Sequence, residues 1–269
     1  MFDYHIHSNF SADCETPMEK TIEKAIEIGL KEICFTEHID YEYPDPTIDF
    51  ELNFKDYECK IREVQQQYRN KISIKKGVEI GVQPYLLDNY RSTIVEEQFD
   101  FIICSMHTVE KKALHSGNYF KVKTVDEAFL TYYEELLYCV KNYDLFNVLG
   151  HLDLVKRYTD EIPNNDFKEV ISEIFKEIIP RGQGIEVNTS GYRYGLHRAM
   201  PSTDILTLYK ELGGEIITLG SDSHVEATLA YEFNSSLELL ESIGFSYITT
   251  FDEQKPEFHS IQQLQQTVK

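Results

Sequence analysis

From end to end the sequence alternates short apolar runs with amphipathic segments of helical period, about seven times over, and no other feature constrains its fold as strongly. Runs such as Glu32-Ile33-Cys34-Phe35-Thr36 and Asp100-Phe101-Ile102-Ile103-Cys104 read as strands buried on both faces, as a parallel sheet requires. Between them, apolar positions 125, 129, 132, 136, 140 and 143 mark a helix over Val125 to Tyr143. Met18, Ile22, Ala25 and Ile26 mark another, opened by Thr16-Pro17-Met18-Glu19 in the form of a capping box. Further helices are expected over 54–68, 85–97, 167–179, 204–212 and 229–243. Such alternation predicts an α/β fold whose parallel sheet is closed or nearly closed into a barrel. The rival is an open doubly wound sheet, which normally carries a glycine-rich phosphate turn after its first strand. Here that place holds His5-Ile6-His7-Ser8-Asn9-Phe10-Ser11-Ala12-Asp13. No linker or repeat interrupts the pattern, so one domain over 1–269 is expected, with a weak strand at Tyr247 to Thr249 and a polar surface helix after Gln254.

In parallel barrels the C-terminal strand ends meet at one mouth, where active sites lie. This chain places His5, His7, His38, Glu79, His107, His151, Asp222 and His224 there, with Asp13 in the first loop. Six of its 9 histidines therefore fall at predicted strand ends. A lone histidine in such a position is ordinarily a hydrogen-bonded structural residue. Six imidazoles crowded beside three carboxylates lack acceptors and charge balance unless cations join them. A catalytic ion takes about three protein ligands and keeps an open position, so nine candidates imply two or three divalent ions. The donors are all N and O, which suits Zn, Mn or Fe. A carboxylate such as Glu79 can bridge two ions and hold a hydroxide between them for attack at neutral pH.

Charge narrows the partners. With 46 acidic and 26 basic residues the net charge is −20, which repels polyanions, so neither nucleic acid nor an anionic membrane is expected as a partner. Five cysteines without CxxC spacing, and no signal-peptide pattern, point to the cytoplasm. In so acidic a chain, Arg157 and Arg193, each just beyond a strand end, suit the fork geometry of a phosphate. Pairing with surface carboxylates is their other reading. Lys156 and Arg198 are weaker phosphate candidates, and Tyr119 and Phe120 in the long loop 108–123 are candidates to wall an aromatic substrate.

Taken in order, His5-Ile6-His7, Glu79, His107, His151 and Asp222-Ser223-His224 resemble the motifs of the polymerase and histidinol phosphatase (PHP) superfamily over nearly the whole chain. The resemblance implies a distorted (β/α)7 barrel, similar to a TIM barrel, with a trinuclear metal site at the C-terminal end of its strands. It implies one ion at His5, His7, Glu79 and Asp222, a second at Glu79, His107 and His151, and a third at Asp13, His38 and His224. Asp13, where some members carry histidine, is similar to the histidinol-phosphatase branch, as are the stretches around Arg157 and Arg193 and Tyr194 to Ser202 with His197. That branch implies hydrolysis of L-histidinol phosphate to L-histidinol and phosphate in histidine biosynthesis. The phosphoryl oxygens would then be held by Arg157, Arg193 and the third ion, with His197 as a further substrate contact. Asp222 or a metal-bound water is the candidate proton donor to the leaving group. The alternatives are another phosphoester (a nucleotide, a phosphotyrosyl protein or a DNA 3′ end), a C–N bond as substrate, and a metal-binding protein without turnover. Acidity argues against DNA, and the two arginines favour phosphate over an amide.

Overall fold

The computed structural model describes residues 1–266. Seven strands form one sheet in chain order: β1 (Phe2–Ile6), β2 (Glu32–Ile39), β3 (Ser73–Gly81), β4 (Phe101–Ser105), β5 (Val148–Leu149), β6 (Gly184–Asn188) and β7 (Ile217–Gly220). Each pairs with the next in parallel. Helices α1 (Met18–Glu27), α2 (Phe54–Tyr68), α3 (Leu87–Glu96), α4 (Val125–Asn142), α5 (Lys168–Ile178) and α6 (Thr203–Glu211) make the connections, and α7 (Phe233–Ile243) follows β7. The sheet closes where Asp222 N donates to His5 O (2.7 Å) and His7 N to Ser223 O (2.9 Å), with a parallel bridge between Ile6 and Ser223. The result is a (β/α)7 barrel, distorted by the brevity of β5 and by a register shift in β1 between Asp3 and Ile6. Irregularities of this kind re-aim side chains and cluster beside active sites.

The amphipathic periods were legible because each helix buries one stripe. On α4 that stripe is Phe129, Tyr132, Tyr133, Leu136 and Val140, each buried side chain contributing about 1.5–3 kcal/mol. The capping box sits on α4, where Thr124 and Glu127 cap reciprocally. At α1 it does not form. Pro17 stands at the N-cap there, and the Thr16 hydroxyl donates instead to His224 O at 2.9 Å, tying the first loop to the last.

The C-terminal end departs from expectation. Tyr247–Asp252 (β8) pairs antiparallel with Lys255–Ser260 (β9) in a hairpin outside the barrel sheet, and α8 (Ile261–Gln266) follows. The turn residues Glu253 and Gln254 both have positive φ, the geometry of a tight hairpin turn, which polarity alone does not reveal. The expected tail helix is thus preceded by a strand, and its last residues, 267–269, lie outside the described residues. Gln254 N donates to Asp100 O at 2.8 Å, fastening the hairpin beneath the barrel. Phe251 then packs on Phe101, which meets Tyr4 edge-on, each at 5.1 Å. Since β1 and β4 are not neighbours, this contact crosses the barrel interior and closes its lower end with buried aromatic side chains. Among the described residues no helix is long and apolar enough to cross a membrane.

Candidate metal centre

All nine residues expected as ligands converge at the C-terminal mouth. Glu79, near the end of β3, is fully buried at the middle of them. Its carboxylate lies 2.9 Å from His151 Nε2, 3.1 Å from His38 Nδ1, 3.2 Å from His5 Nε2, 3.3 Å from His107 Nε2 and 3.6 Å from His7 Nε2. Ser105 Oγ donates to it at 2.6 Å. Asp222 Oδ1 is 3.6 Å from His7 and 3.8 Å from His5, and Asp13 Oδ2 is 3.2 Å from His224 and 3.7 Å from His38. The His7 ring is stacked against both His38 and His224, at 4.3 Å in each case. Four overlapping sets of donor atoms lie within 4.8 Å of one another: His7, His38 and His224; His5, His7 and Asp222; His5, Glu79 and His151; His38, Glu79 and His107. These sets cut across the three implied by the family motifs, because His38 turns Nδ1 toward Glu79 and Nε2 toward Asp13 and so joins two of them.

Electrostatics fit a cation site. Burial opposes the charge on Glu79, yet His5, His107 and His38 outweigh it and hold the carboxyl well below its usual range. Asp222 is held at about 2 against the same burial, chiefly by His5 and His224. A carboxyl ionised in this way suits a cation ligand. Burial, with His38, His224 and His5 nearby, drives His7 well below the ordinary histidine value. That imidazole is therefore neutral, whereas the carboxylates raise His5, His107, His38 and His224 against their burial, and a bound cation would displace those protons. Glu79 Oε2, His38 Nδ1, His151 Nδ1 and Asp40 Oδ2 are buried without a hydrogen-bond partner. Buried polar atoms ordinarily have one, and for imidazole nitrogens interleaved with carboxylate oxygens the partner that satisfies both is a divalent cation.

Behind the cluster stands a set of buried acids that sequence reasoning did not identify. Glu186 receives His5 Nδ1 at 2.6 Å, His151 N at 2.9 Å and Asn188 Nδ2 at 3.1 Å. Asp40 receives His107 Nδ1 at 2.7 Å. Glu37 gathers Ser8 Oγ (2.5 Å) and Ser11 Oγ (2.6 Å), and Asp3 takes the backbone N–H groups of Ser221 (2.9 Å) and Ala230 (3.0 Å). Glu186 and Asp40 meet histidine rings directly and fix their tautomer and orientation, while Glu37 acts through Ser11, whose Oγ lies 3.2 Å from His7 Nδ1. Their signal was a charged residue inside an otherwise apolar strand run, read together with glycines. A Cβ at Gly81 would fall on the Asp40 carboxylate, and one at Gly220 on Glu186 Oε1 and His5 Cβ. Those strand ends carry glycine because the acids occupy the space.

A cavity of about 310 Å³ opens over the centre, lined by Asp13, His38, Glu79, His107, His151, Asp222 and His224 below and by Tyr43, Ile48, Phe50, His115, Leu154, Arg157, Tyr158 and Tyr194 around. The Arg157 guanidinium lies 3.2 Å from the centroid of the Tyr194 ring and 5.5 Å from that of Tyr158. Among the described residues it makes no hydrogen bond or ion pair. Arg193 keeps its Nη1 buried and, among the described residues, without a hydrogen-bond partner. It is not part of the lining, and its Nη2 donates to Ser221 O (2.8 Å) and Asp222 O (3.0 Å), bracing the turn in which Asp222 adopts φ +54°. His197 is exposed and outside the cavity, because the chain turns away there at φ +54°. Lys156 and Arg198 pair with Asp153 at 3.2 and 3.1 Å. Tyr119 is fully buried, its hydroxyl on Ala128 O, so the aromatic wall is supplied by Tyr43, Phe50 and His115 instead.

A parallel barrel with imidazoles and ionised carboxylates packed into its mouth, beneath a cavity holding an uncommitted arginine, is the architecture of a metal-dependent hydrolase. The model of the PHP domain family matches residues 3–190, and the chain belongs to that family. It is 35% identical over 258 residues to the histidinol-phosphatase of Lactococcus lactis, covering 94% of this chain and 95% of that one. It is 31% identical to a probable histidinol-phosphatase of Clostridium acetobutylicum, covering 90% and 93%. The crystal structure of the histidinol phosphate phosphatase of Lactococcus lactis, complexed with Zn, L-histidinol and phosphate, superposes with a TM-score of 0.87 at 34% identity, covering 95% of this chain and 98% of that one.

Proposed function

We infer that this chain is a metal-dependent phosphomonoesterase that hydrolyses L-histidinol phosphate to L-histidinol and phosphate in histidine biosynthesis. One observation carries the reading most directly: Arg157 stands in the cavity above a ligand cluster with its N–H donors uncommitted. A planar fork held on an aromatic face and pointed at no carboxylate is a receptor for a tetrahedral anion. The likeness to a relative solved with L-histidinol and phosphate names the anion's ester.

In this reading, which follows the family motifs, His5, His7, Glu79 and Asp222 would hold one ion, Glu79, His107 and His151 a second, and Asp13, His38 and His224 a third. Glu79, central to five imidazoles, would serve as a ligand common to the first two sets. When bound, the ions supply Lewis acidity toward the phosphoryl oxygens and lower the pKa of water so that it serves as a nucleophile at neutral pH. The protein's own part is positional. Glu186 and Asp40 keep the Nδ1 protons of His5 and His107, leaving each Nε2 lone pair for coordination. Arg157 neutralises charge on the phosphoryl oxygens as it develops. Arg193 acts at one remove, bracing the Asp222 turn. Tyr43, Phe50 and Ile48 exclude water and offer an apolar wall to the organic end of the substrate. The whole chain works as one barrel domain on a small-molecule substrate, in the cytoplasm.

Release of inorganic phosphate from a panel of L-histidinol phosphate, nucleotides and sugar phosphates tests the assignment on zinc-loaded protein. Turnover concentrated on L-histidinol phosphate is expected. Preference for another member refutes the substrate, and no release from any of them with metal bound refutes catalysis.

A further inference from the structure

We propose that Asp153 is a positioning residue for phosphate binding, because it locks the segment carrying Arg157 to the segment carrying Tyr194. The proposal rests on the reading of Arg157 given above. Asp153 is fully buried although it is no part of the ligand cluster. Its Oδ2 gathers three donors from two different loops: Ser202 N at 3.1 Å, Arg198 Nη2 at 3.1 Å and Lys156 Nζ at 3.2 Å. Lys156 Nζ continues to Ser202 Oγ at 3.0 Å, so both cations span the same junction.

The two loops are those that build one wall of the cavity. Asp153 opens the 3-10 segment Leu154–Tyr158, which presents Leu154, Arg157 and Tyr158 to the cavity and is itself anchored to the ligand His151 through Leu154 N (2.8 Å to His151 O). Across from it, the chain leaves β6, carries Tyr194 to the cavity, and returns at Met200, where Asn188 and Met200 exchange backbone hydrogen bonds of 2.7 and 2.8 Å. Arg198 and Ser202 lie on the returning limb. The Arg157–Tyr194 stack therefore has a fixed root, and that root is the Asp153 carboxylate.

A buried carboxylate with two cations is expensive to desolvate and adds little net stability over apolar packing, so its use here answers a demand for geometry. Arginine is long and loses much rotamer freedom when it binds an anion. With the base of both loops pinned, the guanidinium is already on its aromatic platform before phosphate arrives, which lowers the entropy lost on binding. Asp153 reaches phosphate only through Arg157, and this separates it from a catalytic group.

The test uses zinc-loaded full-length chain and inorganic phosphate as the probe, titrated calorimetrically, with KM and kcat for L-histidinol phosphate and zinc content measured on the same samples. Asp153→Asn is expected to weaken phosphate binding and raise KM about tenfold, the order lost when a ligand's supporting carboxylate is removed, with kcat and zinc content within about twofold. In an Arg157→Ala background the same substitution is expected to add no further weakening, since the two residues act as one unit. Arg198→Met, which removes one cation from the partly exposed edge, is expected to weaken phosphate binding in the same direction by less, and it decides the matter if Asp153→Asn does not fold. Unchanged phosphate affinity in the folded variants, an undiminished effect in the Arg157→Ala background, or a parallel loss of zinc overturns the proposal. A wild-type chain that binds phosphate but leaves L-histidinol phosphate intact refutes the substrate and leaves the phosphate titrations to judge Asp153. No phosphate affinity in the wild type overturns both.

Discussion

Replacing Glu186 by glutamine removes one charge and changes almost no volume, so its effect reads the electrostatic support of the cluster with little packing disturbance. Three N–H donors converge on this carboxylate, from His5 Nδ1 (2.6 Å), His151 N (2.9 Å) and Asn188 Nδ2 (3.1 Å), and they use both of its oxygens. Glutamine has one acceptor oxygen and turns an NH₂ toward the remaining donors. Whichever way it is oriented, a buried N–H faces another N–H, at a cost of about 1–3 kcal/mol. Glutamine facing the backbone N–H shifts the His151 strand end. Glutamine facing His5 frees Nδ1 to lose its proton and lets the ring turn its other nitrogen away from the ligand position. At about 1.4 kcal/mol per tenfold, zinc affinity at the site shared by His5 should fall about 10- to 100-fold. Competition against a chromogenic chelator measures it, with circular dichroism confirming that the barrel is intact. Affinity within about twofold of wild type in a folded Glu186→Gln protein would refute the view that this carboxylate holds the ligand tautomers.

Other perturbations follow from the same geometry. Glu79→Gln leaves five imidazoles around a neutral amide. Phosphate release should fall at least about 10²-fold and bound metal should drop by one or more ions, so normal turnover with full metal content would sink the bridging role. Gly81→Ala drives a methyl group into the Asp40 carboxylate and away from its bond to His107. Overpacking of about 1–3 kcal/mol should appear as a lowered Tm together with reduced metal retention, and an unchanged Tm would show that Asp40 yields freely. Stripping the metals should lower Tm by about 5–10 °C, since a ligand at a hundred times its Kd stabilises by about 2.7 kcal/mol and a chain of this size moves about 2–4 °C per kcal/mol. Calorimetry with and without chelator checks this, and coincident transitions would contradict it.

What could be read in the sequence was whatever periodicity and strand-end position carry. Burial on both faces makes parallel strands continuous apolar runs, so their ends were easy to find, and His38, His107 and His151 stood out as polar residues closing such runs. Glu186 and Glu37 escaped notice because they lie within a strand run, where a single charge looks like an interruption. Their meaning depends on donors that arrive from other strands, such as His151 N for Glu186 and Ser8 for Glu37. Direction was equally hidden. Arg157 and Arg193 each follow a strand end, yet one stacks on Tyr194 in the cavity and the other turns under the Asp222 loop, a difference set by backbone turns that spacing does not encode. Loop 189–202 shows the same limit, since left-handed backbone at His197 sends that ring to solvent.

The seam that closes the barrel bears on the order of events during synthesis. Asp3 meets Ser221 across 218 positions of chain, and Cys14 and Thr16 both hold the carbonyl of His224. The opening histidine pair therefore leaves the ribosome long before the residues that complete its surroundings, and a partial chain lacks Asp222 and His224 and leaves one edge of β1 without its partner. A fragment ending before Ile217 should take up zinc weakly and without cooperativity, as measured by the same chelator competition, and tight binding by it would show that the centre forms before the ring is shut. A centre that depends on this seam is complete only when the first strand has met the seventh, so an unfinished copy should also be an inert one.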